Sequence, residues 1–446
     1  MFLPLLLGAA LLGCQQVSQP EITRTPYTPD SGSVAVRCGV LIDGLADNVI
    51  EDRLVVIHHG RVAAVVAGDS EVPLGMPFLD LGKSTCLPGL INTHVHLLER
   101  GSDSNDYDYY YRSTQDQFNQ RVLEAAEDAL LSGFTTVRNP GDYVPAAITF
   151  ARDDIRAGRA LGPRIRTGGP FLTIESGGGD LVIPDHDPDD IPPSARLGVA
   201  SGPDEFREKA LNAIDAGADF LKVIASGAVF SYGPDPGLPE MTYEEIAAVA
   251  DVAREAGLKV TAHVHSAQSG RDAIRAGVDS IEHASLLTDE VLALVEEHGI
   301  ALSMDVYNGT YTDTVGRQMD WPEHILQRNT DTTEAQRVVF EKAYKLGITI
   351  MYGTDASIHP HDMGAWQFKI MVERGMAPMD AIKSATSVPA DHMEIADDVG
   401  AIEAGRYGDL IAVSGNPLED MMVMRDADVV IKGGLVFKYD KANEAN

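Results

Sequence analysis

Apolar and polar residues alternate in short runs near both ends of the chain. This two-residue period is typical of β-strands that bury one face. The runs lie at residues 34–42, 49–58, 61–66, 409–413, 428–431 and 435–437. Because two β-rich segments that flank a larger unit most economically pair with each other, we predict one composite β-sandwich built from residues 34–84 and 399–440.

The middle of the chain repeats a different unit, in which an amphipathic helical stretch ends at a glycine and a short apolar strand follows at once. Glycine suits the left-handed conformation that closes a helix. The unit recurs at Gly133, Gly217, Gly257, Gly277, Gly299 and Gly347. With two further strands the count reaches eight, so residues 85–398 are predicted to form a (β/α)8 TIM barrel in an α/β fold. An open doubly wound sheet is the competing arrangement, which a strand count alone does not exclude.

The beginning of the chain has the composition of an export signal. Residues 1–13 are almost entirely apolar and too few to span a bilayer as a helix. The Leu-Leu-Gly-Cys sequence that ends at Cys14 resembles the lipidation site of bacterial lipoproteins. We therefore predict a signal peptide over residues 1–14, lipidation of Cys14, a flexible tether over residues 15–33, and a periplasmic or cell-surface location in a bacterium.

Acidic residues outnumber basic ones, 67 Asp and Glu against 35 Lys and Arg, which gives a formal net charge of -32. Such a charge repels nucleic acid and anionic membranes, so we expect no nucleic-acid partner and no membrane contact except a lipid anchor. Beyond Cys14 the chain has only Cys38 and Cys86, too few for a disulfide framework or a cysteine-based zinc site. In an oxidising periplasm these two could pair, and two buried free thiols are the alternative.

Polar residues that a core does not need stand at the ends of the predicted barrel strands. They are His94, His96, Lys222, His263, His265, His283 and Asp355. In a barrel every strand ends at the same mouth, so these side chains should converge there, whereas an open sheet would not bring them together. Lys222 is the most telling of them, because an ammonium group in an apolar strand is costly unless it is paired or neutralised.

Six motifs at these positions resemble the amidohydrolase superfamily. They are Leu-Pro-Gly-Leu-Ile-Asn-Thr-His-Val-His, Gly-Phe-Thr-Thr-Val-Arg, Asp-Phe-Leu-Lys-Val, Ala-His-Val-His-Ser, Ile-Glu-His-Ala and Gly-Thr-Asp-Ala. The similarity is greatest to the imidazolonepropionase-related branch, with its prolidase-like metallo-dipeptidases and ochratoxin-type amidases, and it covers about residues 34 to 440.

This resemblance implies a binuclear centre with two zinc ions per chain. Its ligands would be His94, His96, Lys222, His263, His283 and Asp355. The first two histidines would share one ion with Asp355, and the other two would bind the second ion. Lys222, carboxylated by carbon dioxide on its amine, would bridge the ions and so lose its unpaired positive charge. Hydrolysis would use a metal-bridged hydroxide whose proton passes to Asp355.

The resemblance also suggests residues that contact the substrate. Tyr232 would hold the carbonyl oxygen opposite the metal, and an ordinary loop aromatic is the alternative for this residue. His265, Arg138 and His361 are candidate substrate contacts, although a structural ion pair suits Arg138 equally well. Many relatives carry Gly-His-Gly where this chain has three glycines at 177–179, so a relative's specificity does not transfer directly.

The sequence therefore predicts a hydrolase that cleaves amide or peptide bonds in dipeptides, Xaa-Pro or Xaa-basic, or in N-acyl amino acids. Acidic loops at 103–108 and 185–190 would border the mouth as lids or solvated loops and favour basic substrates. The alternatives are a mononuclear-metal deaminase or cyclic-amide hydrolase, and a non-catalytic ligand-binding lipoprotein. A homo-oligomer is compatible with the sequence, and nothing in the sequence requires one.

Overall fold

A computed structural model of the protein describes residues 32–99, 109–182, 187 and 190–440. The predicted signal peptide with Cys14, nearly all of the tether and most of the two acidic loops lie outside these residues and stay predictions. The strands within the described residues are β1 Val34–Leu41, β2 Ile50–His58, β3 Arg61–Ala67, β4 Phe78–Pro88, β5 Leu90–Asn92, β6 Phe134–Asn139, β7 Arg164–Thr167, β8 Leu221–Ile224, β9 Val260–Val264, β10 Ser280–His283, β11 Ala301–Met304, β12 Ile350–Tyr352, β13 Leu410–Val413, β14 Val429–Lys432 and β15 Leu435–Tyr439. The helices there are α1 Tyr109–Arg112, α2 Gln115–Leu131, α3 Pro145–Arg156, α4 Gly202–Asp215, α5 Tyr243–Ala256, α6 Ala267–Ala276, α7 Asp289–His298, α8 Asn308–Tyr311, α9 Glu323–Leu346, α10 Gly364–Glu373, α11 Pro378–Ser384 and α12 Ser387–His392.

The two terminal segments join in one seven-stranded sheet with the strand order β15-β14-β13-β4-β1-β2-β3. β13 pairs antiparallel with β4, from Leu410 opposite Pro88 to Val413 opposite Thr85. The two ends of the chain therefore pair as predicted, but their described strands make a single sheet, and the second layer of a sandwich stays a prediction. The sequence pattern does not reveal β4, because its exposed and buried residues alternate irregularly before a fully buried end.

Cys38 in β1 and Cys86 in β4 form a disulfide, with their Cα atoms 5.8 Å apart. Both residues lie in the buried core of the terminal sheet. Of the two alternatives that the sequence leaves open for this pair, the structure has the disulfide.

The other eight strands are parallel and fall into two sheets, one of β5 to β7 and one of β8 to β12. Backbone hydrogen bonds connect the edges of these sheets. Leu172, beyond β7, donates to the Lys222 carbonyl over 3.1 Å, and Thr93, beyond β5, donates to the Tyr352 carbonyl over 2.9 Å. Regular strand pairing does not continue across either seam, so the described residues provide eight parallel strands without a continuous closed sheet.

Four helices end at glycines shortly before a barrel strand. α5 starts with the predicted capping box, in which the Thr242 and Glu245 side chains each accept the other's backbone N–H. Helices α5, α6, α7 and α9 end at left-handed glycines, as predicted. Among the helices of the described residues, none is both long enough and apolar enough to cross a membrane.

Gly89 separates the terminal sheet from the barrel strands. A Cβ atom at this position would lie 2.2 Å from the Thr135 hydroxyl oxygen, so the chain can approach β6 this closely only with glycine. β5 then ends at Asn92, and His94 and His96 follow the strand rather than ending it. This short strand places both histidines at the mouth formed by the strand ends.

Candidate active site

A cavity of about 140 Å³ lies at the carboxyl ends of the barrel strands. Its lining includes all of the predicted metal ligands, His94, His96, Lys222, His263, His283 and Asp355. His265 also lines it. The structure therefore brings together residues that are separated by up to several strands in the sequence.

Two of these residues have unusual backbones. His283 has a φ of 67° and Asp355 a φ of 53°, both in the left-handed region. Such a conformation costs a residue other than glycine on the order of 1–3 kcal/mol and persists mainly at functional sites. The strain therefore agrees with a functional role for this mouth.

Three electron-pair donor atoms lie close together here, one each from His94, His96 and Asp355. The two Nε2 atoms are 3.3 Å apart, and each lies 3.4 Å from Asp355 Oδ1. The Nδ1 atoms face acceptors, Glu282 Oε2 at 2.8 Å and the Gly141 carbonyl at 3.0 Å, so they carry the protons and the Nε2 atoms carry lone pairs. Around tetrahedral zinc with Zn–N distances of about 2.0–2.1 Å, neighbouring ligand atoms lie about 3.3–3.4 Å apart. The arrangement thus fits a metal cation.

Burial keeps these two rings neutral. It lowers the pKa of His94 and lowers the pKa of His96 to about 3. Neutral imidazole is the form that binds metals, so both residues are ready to act as ligands at neutral pH.

His263, His265 and His283 form a second group, whose ligand atoms lie within 4.8 Å of one another. His283 is oriented by Asp305, with 2.9 Å between Nδ1 and Oδ1. His265 lies 2.8 Å from the Ser285 hydroxyl and stacks on His283, with ring centroids 4.9 Å apart. His265 therefore belongs to the metal-ligand cluster as much as to a substrate surface.

Lys222 lies among these two groups of ligands. Its side chain is 1% exposed, and its Nζ atom has no hydrogen-bond partner among the described residues. Burial lowers its pKa to about 8, against the opposing effect of Glu282 and other nearby carboxylates. A buried ammonium without hydrogen bonds is costly, whereas a carboxylated lysine between cations would satisfy this position. The residues present therefore fit a metal centre with Lys222 as a ligand.

Glu282 is a central residue of the site that the sequence pattern did not single out. It is fully buried, holds His94 through Oε2, and is hydrogen-bonded through Oε1 to the Arg138 guanidinium and the Thr261 hydroxyl. Arg138 also donates to the Thr93 carbonyl over 2.6 Å and is absent from the described cavity lining. Of the two alternatives for Arg138, the structure has the ion pair, and the substrate contact stays a prediction. The sequence signal for this ion pair is an acidic residue, Glu282, and a basic residue, Arg138, each in an otherwise apolar strand.

We expect Glu282→Gln to weaken zinc binding by about 10- to 100-fold, because the amide orients His94 less well than a carboxylate does. It should also lower stability, since Arg138 would remain buried without its counter-charge, a loss of about 3–5 kcal/mol. Competition with a chromophoric chelator and thermal unfolding would measure both effects. The exposed Glu244→Gln is the control, and wild-type zinc affinity in Glu282→Gln would contradict this role.

Two predicted substrate residues are absent from the described lining of the cavity. Tyr232 is not among the described lining residues, and its ring packs against His324 with centroids 4.9 Å apart. Arg328 in α9 donates to the carbonyls of the residues on either side of Tyr232 over 2.7 and 2.8 Å. His361 lies in a short helical turn after β12 and is also absent from the described lining. The substrate contacts of Tyr232 and His361 stay predictions.

Asn308 is a further residue that the sequence did not indicate. Its Nδ2 donates to Asp355 Oδ2 over 3.1 Å and to Asp305 Oδ2 over 3.3 Å. One amide thus fixes the carboxylate that faces the histidine pair and the carboxylate that orients His283. A polar residue after a strand gives no such signal in the sequence, because its partners come from distant loops.

We expect Asn308→Ala to lower kcat by about tenfold with little change in KM, because Asp355 would lose the contact that fixes one of its oxygens. Steady-state kinetics with zinc-loaded enzyme would measure this change. Asn212→Ala, on the exposed face of α4, is the matched control. An unchanged kcat in Asn308→Ala would show that Asp355 needs no such support.

The site and its fold define a class of enzyme. A family model for the amidohydrolase family matches residues 85–436, and the chain belongs to this family. It is a metal-dependent hydrolase that acts on amide bonds of small molecules.

Individual relatives agree with this assignment. Ochratoxinase from Aspergillus niger is 28% identical over 444 residues, which cover 92% of this chain and 88% of the relative. A crystal structure of a Xaa-Pro dipeptidase with methionine in its active site matches with a TM-score of 0.85 and 33% identity, over 91% of this chain and all of that chain (100%). A prolidase complexed with N-methylphosphonate-L-proline matches with a TM-score of 0.84 and 25% identity, over 92% of this chain and 100% of that chain. These neighbours imply a TIM-barrel fold.

Proposed function

We propose that the protein is a binuclear zinc hydrolase on a closed (β/α)8 barrel and that it cleaves the amide bond of dipeptides or N-acyl amino acids. The observation that carries the proposal is Lys222, whose buried Nζ has no hydrogen-bond partner among the described residues and which lines the same cavity as the candidate ligands. A mononuclear deaminase needs no bridging lysine. Family membership leaves the non-catalytic lipoprotein without support.

One ion would be held by His94, His96 and Asp355, and the other by His263 and His283. Carboxylated Lys222 would be a ligand of both ions. Two zinc ions would lower the pKa of a water molecule and polarise the scissile carbonyl. Asp355 has one oxygen towards the histidine pair and the other fixed by Asn308. From there it accepts a proton from the attacking water and delivers it to the amine nitrogen as the C–N bond breaks. The products are a carboxylic acid and an amine.

The rest of the cavity lining supports a small amide that carries a carboxylate. Arg121 lies in the lining, with its guanidinium carbon 4.3 Å from the centre of the Tyr109 ring, and takes the place of Arg138 as the cation for a substrate carboxylate. Tyr110, Tyr143 and Phe171 provide an apolar wall for a side chain. The similarity to prolidase-type enzymes and to ochratoxinase favours the same class of substrate.

Glu99, also in the lining, bears on the choice between basic and other substrates. Burial, together with the negative charges of Asp142 and Asp355, raises its pKa to about 8. The positive charge of Arg121, which lines the same cavity, opposes this increase. The similarity to a Xaa-Pro dipeptidase, rather than the charge of Glu99, favours Xaa-Pro substrates over Xaa-Arg and Xaa-Lys.

We also infer that the protein is exported and anchored by a lipid on Cys14. The disulfide between Cys38 and Cys86 supports an oxidising compartment. Mass spectrometry of the mature N-terminus would test this inference, and an unprocessed Met1 would contradict it.

Hydrolysis of a substrate library by zinc-loaded protein tests the proposed reaction. The library should contain Xaa-Pro, Xaa-Arg, Xaa-Lys and neutral dipeptides together with N-acyl amino acids. We expect cleavage of neutral or Xaa-Pro members, lost on chelation and restored by zinc. Release of ammonia from a heterocycle, or no cleavage of any member by protein with two zinc ions, would contradict the proposal.

A further inference from the structure

A second cavity, of about 790 Å³, lies at the opposite end of the barrel strands. It opens at the beginning of β7, between α3 and the turn that joins β14 to β15, whereas the metal ligands follow the carboxyl ends of their strands. None of its described lining residues is shared with the candidate active site. A volume of about 300–1,000 Å³ is typical of small-molecule sites.

The charge of this cavity is opposite to that of the chain. Six basic residues line it, Arg152, Arg156, Arg159, Arg164, Arg166 and Lys432. Among its described lining residues the one acidic group is Asp398, which already pairs with Arg61 over 2.7 Å. In a protein whose acidic residues outnumber basic ones 67 to 35, this concentration of cations requires an explanation.

Two of the six cations have no carboxylate within salt-bridge distance in the described part of the chain. Arg152, Arg156, Arg159 and Arg164 each have an aspartate partner. Arg166 has none, and Lys432 donates a single hydrogen bond, to the Gly162 carbonyl over 2.5 Å. Lys432 is half-buried. Burial and the positive charge of Arg164 lower its pKa to about 8 against the opposing charge of Asp409, and a bound anion would raise this pKa again.

A separate observation marks the floor of the same cavity. Thr136 in β6 is 1% exposed, and its hydroxyl has no hydrogen-bond partner among the described residues. It pairs with Arg164 across the β6–β7 ladder and lines the cavity. A buried hydroxyl without a partner is costly, so Thr136 would gain from an acceptor that reaches it from the cavity.

The remaining walls are apolar, with Ile155, Leu161, Ile165, Leu435 and Phe437 among them. A small, strongly hydrated anion such as phosphate would leave this surface uncovered. We propose that the cavity is a binding site for a small organic carboxylate with an apolar body, its charge near Lys432 and Arg166 and its body against the apolar walls. This site is independent of the hydrolytic reaction.

Calorimetric titration of the zinc-loaded protein with octanoate tests the proposal. Phosphate provides charge without an apolar body, and 1-octanol provides the body without charge. We expect octanoate to bind at least about tenfold more tightly than either, and Lys432→Gln to weaken its binding by about tenfold or more, since a charged hydrogen bond is lost. Lys438→Gln, a nearby lysine outside the described lining, should bind octanoate like the wild type.

Two further measurements locate the ligand. Thr136→Val keeps the side-chain shape and should weaken octanoate binding without lowering the melting temperature. This second variant keeps the proposal testable if Lys432→Gln fails to fold. Anomalous scattering from crystals soaked in 8-bromooctanoate should place bromine in this cavity. The proposal would be overturned by bromine found only at the metal centre or by phosphate that binds as tightly as octanoate. Wild-type affinity for octanoate in both variants would also overturn it.

Discussion

Replacing Lys222 with alanine is expected to abolish amide hydrolysis and to remove most of the bound zinc. Lys222 lines the same cavity as the candidate ligands, and its Nζ has no hydrogen bond among the described residues that would explain its burial. Without it the proposed centre would lose the ligand that bridges its two ions. We expect kcat/KM to fall by about a thousandfold or more, on the order of 4 kcal/mol of transition-state stabilisation. Steady-state kinetics and metal analysis of the purified variant measure both effects.

The matched control for this variant is Lys259→Ala, which removes a partly exposed lysine that pairs with Asp279 and Glu394 before β9. It should keep wild-type zinc content and activity. Formate, acetate or propionate should restore part of the activity of Lys222→Ala, because a small carboxylate can occupy the space that the side chain leaves. Full zinc content and full hydrolysis in Lys222→Ala would exclude a bridging role for the lysine.

Replacing Asp355 with asparagine should have a comparably large effect on turnover with a smaller effect on metal binding. The amide can still present an oxygen beside His94 and His96, but it cannot accept the proton of the attacking water. We expect kcat to fall by about 10²- to 10⁴-fold, the usual contribution of a general base. Rates at saturating substrate, normalised to zinc content, separate proton transfer from metal loss.

Asp362→Asn is the control for this variant, because Asp362 is exposed in the same loop and absent from the described cavity lining. It should turn over substrate like the wild type. A kcat for Asp355→Asn within a few-fold of wild type would assign the proton transfer to another group.

The convergence of the candidate metal ligands could be predicted because it follows from local rules. Strand ends after helix-closing glycines such as Gly257 and Gly277 are visible in the sequence, and parallel strands carry their carboxyl ends to one mouth. Polar residues at those ends therefore had to meet. The capping box at Thr242 was readable for the same reason, since both of its partners lie within four residues.

The features that the sequence did not reveal depend on partners far apart in the chain. Arg328 holds the backbone on either side of Tyr232 from nearly a hundred residues away. Glu282 pairs with Arg138 from a strand that is not its neighbour, and the sequence offered an ion pair of Arg138 only as one of two alternatives, without its partner. Asn308 matters only because Asp305 and Asp355 converge on it. Pairwise contacts of this kind follow from packing, which periodicity and spacing do not describe.

Zinc stoichiometry measured together with activity tests the central claim most directly. Protein stripped with a chelator should be inactive, and stepwise addition of zinc, followed by mass-spectrometric metal analysis, should restore hydrolysis until two ions are bound per chain. Activity that reaches its maximum at one ion per chain, or that persists in metal-free protein, would contradict a binuclear centre built on His94, His96, His263, His283, Asp355 and Lys222.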